Sequence, residues 1–243
     1  MEPGTVYILF VVFVATLVRS AFGFGEALLA VPLLVLRLPL PVAAPLAVLI
    51  SITIAGCIVA QDWRRVHFES AGWLVFATLF GIPLGLMLLT NPHQAAVKIA
   101  LALVIVCFSI LSLFGRPPEL QSDSKAWLMG CGFVAGILGG AYGMNGPPLA
   151  VYGTMRRWSA QHFRATLQGY FLPASALGML GYWWQGLWTS SVTHYYLLSL
   201  PVTIPAIWLG RLVNHRLPID RFRKYIYGGL IIIGIVLFLQ AAS

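Results

Sequence analysis

The sequence predicts an all-α polytopic membrane protein of two homologous halves, each a broken or re-entrant helix pair followed by three transmembrane helices, the halves arranged as inverted repeats. Three observations lead there. Of 243 residues, 59% are hydrophobic and only 9% charged, where soluble domains carry about a quarter charged residues. A glycine and proline cluster, Gly136-Ile-Leu-Gly-Gly-Ala-Tyr-Gly-Met-Asn-Gly-Pro-Pro148, interrupts an apolar stretch. The order of segments around that interruption occurs twice along the chain.

The first half, residues 1–114, opens with an apolar arm over Thr5–Val18, an interruption over Arg19-Ser-Ala-Phe-Gly-Phe-Gly-Glu26, and a second arm over Ala27–Leu38 with Pro32 inside it. Arms of about 12–14 residues extend about 18–21 Å as helix, short of the ~30 Å hydrocarbon core, so each is expected to reach only part-way. Glu2 and the lack of a small-x-small cleavage site argue that this start is not a signal peptide. Leu40–Ala60, Ala71–Thr90 and His93–Phe114 are each of spanning length. Gly81-x-x-x-Gly85, with Pro83 between, predicts close helix contact and a kink in the second of them.

A polar link, residues 115–124, leads to the second half, residues 125–243. Lys125–Gly139 is apolar, the cluster breaks it, and Leu149–Met155 resumes before Arg156-Arg157. Gly139, Gly140, Gly143 and Gly146 carry the backbone entropy cost of glycine, and Pro147 and Pro148 lack a donor, so the helix is expected to fail here. Phe163–Gly181, His194–Gly210 and Phe222–Ala241 follow. A shift of 120 residues places Gly23 on Gly143 and Leu29-Ala30-Val31 on Leu149-Ala150-Val151; a shift of 126 places Pro92 on Pro218 and Lys98 on Lys224.

Charge orients the halves. If each broken pair crosses the membrane once, the halves are parallel and the basic residues of the two sides divide 10 against 4. If each pair is a re-entrant V, the halves are inverted: Arg64, Arg65, Arg116, Lys125, Arg156, Arg157, Arg164 and the Arg211–Lys224 group face Arg37 and Lys98, 12 against 2. The second division follows the positive-inside rule better and puts both termini outside the cytoplasm. The net charge of +8 therefore reads as loop bias. It gives no basic patch with interleaved aromatics for nucleic acid. Cys57, Cys107 and Cys131 stand singly and the five histidines are scattered, which indicates neither a metal site nor a thiol relay. Trp183, Trp184 and Trp188 flank a loop without Lys or Arg and read as an interfacial aromatic belt.

Interrupted segments at matching places in two halves point to a transporter site near the midplane. Half-helix N-termini there present unpaired N–H groups and partial positive charge, which suits an anion. The substrate-binding candidates are Arg19, Gly23, Gly25, Gly143, Asn145, Gly146, Pro147 and Gln168. Glu26 is the only acid in any apolar segment and the candidate for proton coupling; Arg164, four residues before Gln168, is the candidate gate. Plainer roles compete: tight helix packing for the glycines, a mutual ion pair for Arg19 and Glu26, and a cap on broken backbone for Asn145. Thr166 and Tyr170 open the segment after the second break, and Ser51 and Thr53 sit in its first-half counterpart.

Gly23-Phe-Gly-Glu-Ala-Leu-Leu-Ala-Val-Pro-Leu-Leu34 resembles the first signature of the TauE/SafE sulfite exporter family, and Gly139-Gly-Ala-Tyr-Gly-Met-Asn-Gly-Pro-Pro148 with Phe163-Arg-Ala-Thr166 resembles the second. The resemblance spans nearly the whole chain. It implies a multi-pass permease of the bacterial inner (plasma) membrane that moves sulfite, sulfonates or similar anions, proposed in many cases as export. The chain departs from the family pattern at Glu26, where glycine is common.

The expected protein is thus a secondary transporter for a small sulfur-containing or organic anion, not an enzyme, working by alternating access at a site between the two breaks. The expected partners are that anion, a proton and the lipid bilayer, with no cofactor and no metal, and a homo-oligomer is compatible with the sequence. A passive anion channel is the runner-up. A membrane-embedded enzyme or assembly factor is the reading from another class, and the chain lacks a nucleophile and base to support it.

Overall fold

The computed structural model describes residues 3–62, 68–115, 125–157, 160–216 and 219–242. These form ten helices and, among the described residues, no strand. In chain order they are α1 (Pro3–Phe22), α2 (Glu26–Val35), α3 (Leu40–Asp62), α4 (Phe68–Leu89), α5 (Gln94–Phe114), α6 (Lys125–Tyr142), α7 (Gly146–Met155), α8 (Ala160–Trp184), α9 (Ser190–Arg216) and α10 (Ile219–Ala242). Five spans among the described residues, Gly4–Ala21, Leu40–Ala60, Ala71–Leu89, Gln94–Phe114 and Ser190–Gly210, are long and apolar enough to cross a membrane. Phe10, Phe80, Met87, Phe114, Trp208 and Leu239 stand exposed on the outside of the bundle. Apolar surface on that scale belongs against lipid, and the chain is a polytopic membrane protein.

α1 and α2 form a hairpin. The Tyr7 hydroxyl, near the start of α1, donates to the Leu33 carbonyl, near the end of α2, over 2.9 Å. The Arg37 guanidinium lies 5.8 Å from the centre of the Tyr7 ring. The open ends of the two arms are therefore neighbours, and the arms run antiparallel. The turn lies at Gly23–Gly25, where φ is 87° at Gly23 and 103° at Gly25. Those left-handed values are open to glycine and strained for a residue with a Cβ.

The arms differ from expectation in length. α1 has 20 residues and α6 has 18, about 30 and 27 Å of helix. Arg19 lies in the last turn of α1. The interruption read at Arg19–Glu26 is only the three residues between the helices, because a single buried charge does not stop a helix whereas two left-handed glycines do. The second break is similarly shorter than the cluster that announced it. Gly136, Gly139 and Gly140 remain helical, and Gly143 (φ 67°) ends α6. Pro147 and Pro148 do not extend the break but sit in the first turn of α7, where the N–H that proline lacks has no helical acceptor anyway.

What holds α6 as a helix through its glycines is α4. A Cβ on Gly81 would lie 2.9 Å from the Gly136 Cα, and one on Gly85 would lie 2.8 Å from the Gly140 Cα. Backbone meets backbone along this crossing, as the Gly81-x-x-x-Gly85 spacing anticipated. Thr78 completes it, its hydroxyl reaching the Gly132 carbonyl at 2.9 Å and the Tyr170 hydroxyl at 2.8 Å. α1 meets α9 in the same manner, with a Cβ on Gly210 falling 2.5 Å from the Ser20 Cβ. α5 packs on α10, and α3 on α8.

Candidate functional site

The two breaks meet in one small cavity against α3 and α8. Phe24, Gly25, Glu26, Ala27 and Leu28 line it from the first break, and Gly143, Met144, Asn145, Gly146 and Pro147 from the second. Ser51 of α3 and Phe171 and Ser175 of α8 complete it. A Cβ on Gly146 would rest 3.6 Å from both Phe24 and Phe171, so the second break touches the first directly.

Depth follows from α3. Ser51 is the central residue of Leu40–Asp62, eleven residues from either end, so it stands near the middle of a spanning helix. Its hydroxyl lies 3.3 Å from the Ser175 hydroxyl. Gly143 abuts Ala44 and Val48, on the N-terminal side of Ser51. The second break, at the end of the unexpectedly long α6, thus reaches past the middle of α3.

Arg19 and Glu26 form a buried ion pair across the first break. The Arg19 side chain is 0% exposed. Its Nη1 donates to Glu26 Oε1 and, over 2.7 Å, to Ser51 Oγ. The guanidinium carbon stands 4.6 Å from the centre of the Phe171 ring, a cation–π contact. Nε and Nη2 are buried and have no hydrogen-bond partner among the described residues. Helix ends favour this pair as well: Arg19 sits at the C-terminus of α1 and Glu26 at the N-terminus of α2, each where the helix dipole stabilises its sign.

The cavity thus collects Gly25, Glu26, Gly143, Asn145, Gly146 and Pro147 from the sequence candidates. Gly23 shapes the turn, and Arg19 stands behind the wall, touching it through Glu26 and Ser51. Asn145 Oδ1 has no hydrogen-bond partner among the described residues and is packed against Gly139. Proline has no N–H, so Pro147 and Pro148 leave the start of α7 poorer in donors than the start of α2. The side chains of Arg164 and Gln168 lie outside the described residues; their backbone is in α8, eleven and seven residues before Ser175. Ser175 and Phe171 were not anticipated. Ser175 stands 124 residues after Ser51, between the shifts of 120 and 126 that relate the halves elsewhere, and that drift was the available signal.

The Sulfite exporter TauE/SafE family model matches residues 8–237. The chain belongs to the TauE/SafE family. Membership makes it a membrane transporter rather than an enzyme. Among curated proteins it is similar to one of Cupriavidus necator named "Probable sulfite/organosulfonate exporter TauE", at 25% identity over 229 residues, covering 92% of this chain and 89% of the relative. No solved structure matches it. The two stretches that resemble the family's signatures, Gly23–Leu34 and Gly139–Pro148, span the two breaks and supply ten of the thirteen residues around the cavity.

Proposed function

We propose that this family member is a secondary transporter that exports a small sulfur-containing or organic anion, such as sulfite or a sulfonate, across the bacterial inner membrane by alternating access. The observation that carries the reading is the cavity at mid-depth where both breaks, two serine hydroxyls and a buried ion pair converge. The substrate class draws on the printed name of the Cupriavidus necator relative. Broken helices at the midplane are the usual binding architecture of such carriers. The present cavity has room for about one water molecule. A sulfonate needs more space, so the hairpins must separate to admit it, which supports a carrier over a standing channel.

In this reading the anion lies between the breaks, near Ser51 and Ser175, drawn by Arg19 and the N-terminus of α2. The backbones of Gly23, Gly25, Gly143 and Gly146, together with Asn145 and Pro147, give the site its shape, and Gln168 extends it along α8. Glu26 couples transport to a proton, and Arg164 gates the cytoplasmic side.

Inverted repeats spanning 1–114 and 125–243, joined by 115–124, provide the rocking motion. The antiparallel α1–α2 hairpin supports the inverted arrangement, because an even number of passes there leaves three crossings per half. Exchanged contacts support the duplication. α4 packs on α6 as α9 packs on α1, and Gly85 against Gly140 corresponds to Gly210 against Ser20. Arg64, Arg65 and Arg116, which carry much of the orientation argument, lie outside the described residues.

Proteoliposomes loaded with labelled sulfite or a labelled sulfonate test the function. Flux that responds to an imposed pH gradient is the expected result. Flux indifferent to the gradient would favour the channel, and no flux for any sulfur oxyanion would remove the substrate assignment.

A further inference from the structure

We infer that the Glu26 carboxylate is a tethered competitor of the transported anion: it occupies, on Arg19 and Ser51, the place that an oxygen of the substrate takes, and the two exchange during the cycle. The inference rests on the anion-transport reading and specifies what happens at its site.

Three features lead to it. The Arg19 guanidinium has five N–H donors, yet among the described residues only Nη1 is hydrogen-bonded, to Glu26 and Ser51, while Nε and Nη2 have no partner there. A structural ion pair fully buried in a bundle would be expected to use the planar fork on both sides. Here the fork is half used, and its engaged nitrogen bonds to two of the residues that line the cavity. Second, Glu26 is itself part of that wall and is the first residue of α2. Its carboxylate holds the position at a half-helix N-terminus that an incoming anion would seek. Third, the cavity leaves room for about one water molecule. An oxyanion cannot enter beside Glu26, and two negative charges at one guanidinium would repel, so entry requires the carboxylate to leave or to be neutralised.

Among the described residues lining the cavity Glu26 is the only titratable one, and its charged partner is Arg19 behind the wall. α1 contributes Arg19, α3 Ser51, and α8 Phe171 and Ser175; the second break contributes Gly143 to Pro147, none of them ionisable. The exchange is then a simple balance. Arg19 gives up its bond to Glu26 and gains one to an anion oxygen, and Glu26 takes one proton from solution as its charge partner is lost. One anion bound carries one proton with it. Release of the anion returns the carboxylate to Arg19 and the proton to solution on the other side. The charge of the site stays the same throughout, which limits the penalty of holding an anion in a low-dielectric interior.

Methanesulfonate is the probe, because its own charge is fixed across the neutral range, and binding to the full chain in detergent is read by calorimetry. Wild type is expected to bind more weakly as pH rises, approaching tenfold per pH unit when a full proton is taken up. Glu26→Gln is expected to bind at least tenfold more tightly than wild type near neutrality and to lose the pH dependence. Equal or weaker binding by Glu26→Gln, with the pH slope unchanged, overturns the exchange and leaves the transport reading standing. No binding of methanesulfonate or sulfite by either protein defeats the transport reading itself. If Glu26→Gln does not purify folded, Glu26→Ala serves instead. Added acetate should then compete with methanesulfonate in Glu26→Ala and not in wild type; absence of that competition also overturns the inference.

Discussion

Replacing Arg19 by glutamine separates its structural role from its proposed role as an anion ligand. In wild type the guanidinium is paired with Glu26, donates to Ser51 over 2.7 Å and faces Phe171 at 4.6 Å, with no exposure. Arg19→Gln leaves the Glu26 carboxylate buried without its counter-charge, and breaking a buried pair by removing one partner costs about 3–5 kcal/mol. Arg19→Gln/Glu26→Gln leaves two neutral amides in place of the pair and should recover most of that loss. Thermal melting in detergent is therefore expected to place the single variant well below wild type and the double variant close to it. Anion affinity then divides differently. The comparison that isolates Arg19 is Glu26→Gln against the double variant, both free of the carboxylate. If Arg19 binds the anion through charge-assisted bonds worth about 1.5–3 kcal/mol, the double variant should bind methanesulfonate roughly 10- to 150-fold more weakly. Equal affinity in the two would refute Arg19 as a ligand. Wild-type melting of the single variant would refute the account of the ion pair.

Two further expectations concern packing and orientation. Gly85→Ala should destabilise the α4–α6 crossing by about 1–3 kcal/mol, because the new Cβ would meet the Gly140 Cα at 2.8 Å and the Ala141 nitrogen at 2.7 Å, neither of which can turn aside. Gly130→Ala, with nothing within 4 Å of its added Cβ, should melt at or slightly above wild type, and equal loss in both would contradict the crossing. A cysteine at Ser122, in a protein with Cys57, Cys107 and Cys131 replaced by serine, should react with an impermeant thiol reagent only from the cytoplasmic side. Labelling from outside would refute the inverted arrangement.

The helices were legible wherever a long apolar run met a polar link, as at Leu40–Ala60 and His93–Phe114, which became α3 and α5. The breaks were legible because glycine in the left-handed region leaves a compositional trace, and Gly23, Gly25 and Gly143 carry it. Their extent was not. Composition alone counts Gly136, Gly139 and Gly140 against a helix, whereas Gly139 makes room for the Asn145 amide, and α4 rewards Gly136 and Gly140 with a backbone contact that no larger residue permits. That compensation comes from a segment some fifty residues away and leaves no local mark. Proline misled for a related reason, since its penalty holds in a helix interior and vanishes in the first turn. Within the site, the charged residues stood out by rarity, and Ser175 did not, because a serine among apolar residues is ordinary until its distance from Ser51 is known.

The two halves, so alike in plan, differ in chemistry at the place where they meet. A shift of 120 residues puts Arg19 on Gly139, Gly25 on Asn145 and Glu26 on Gly146. The backbone follows that correspondence, with Gly23 N–H bonded to the Arg19 carbonyl and Gly143 N–H to the Gly139 carbonyl. The side chains do not: in the second half the Asn145 amide lies against Gly139, where the first half holds an ion pair. The donors are equally lopsided, because α2 starts with ordinary residues and α7 with two prolines. A pair of equivalent charged hairpins would bring two guanidiniums and two carboxylates to one cavity of water size, at a desolvation cost of several kcal/mol per ion. In the proposed mechanism, keeping the charge in one hairpin leaves a single anion position. It would also let the neutral hairpin move past it without carrying charge through the hydrocarbon interior. In the alternating-access reading, both access states would then present the substrate to the same Arg19, and what changes between them is which hairpin covers it.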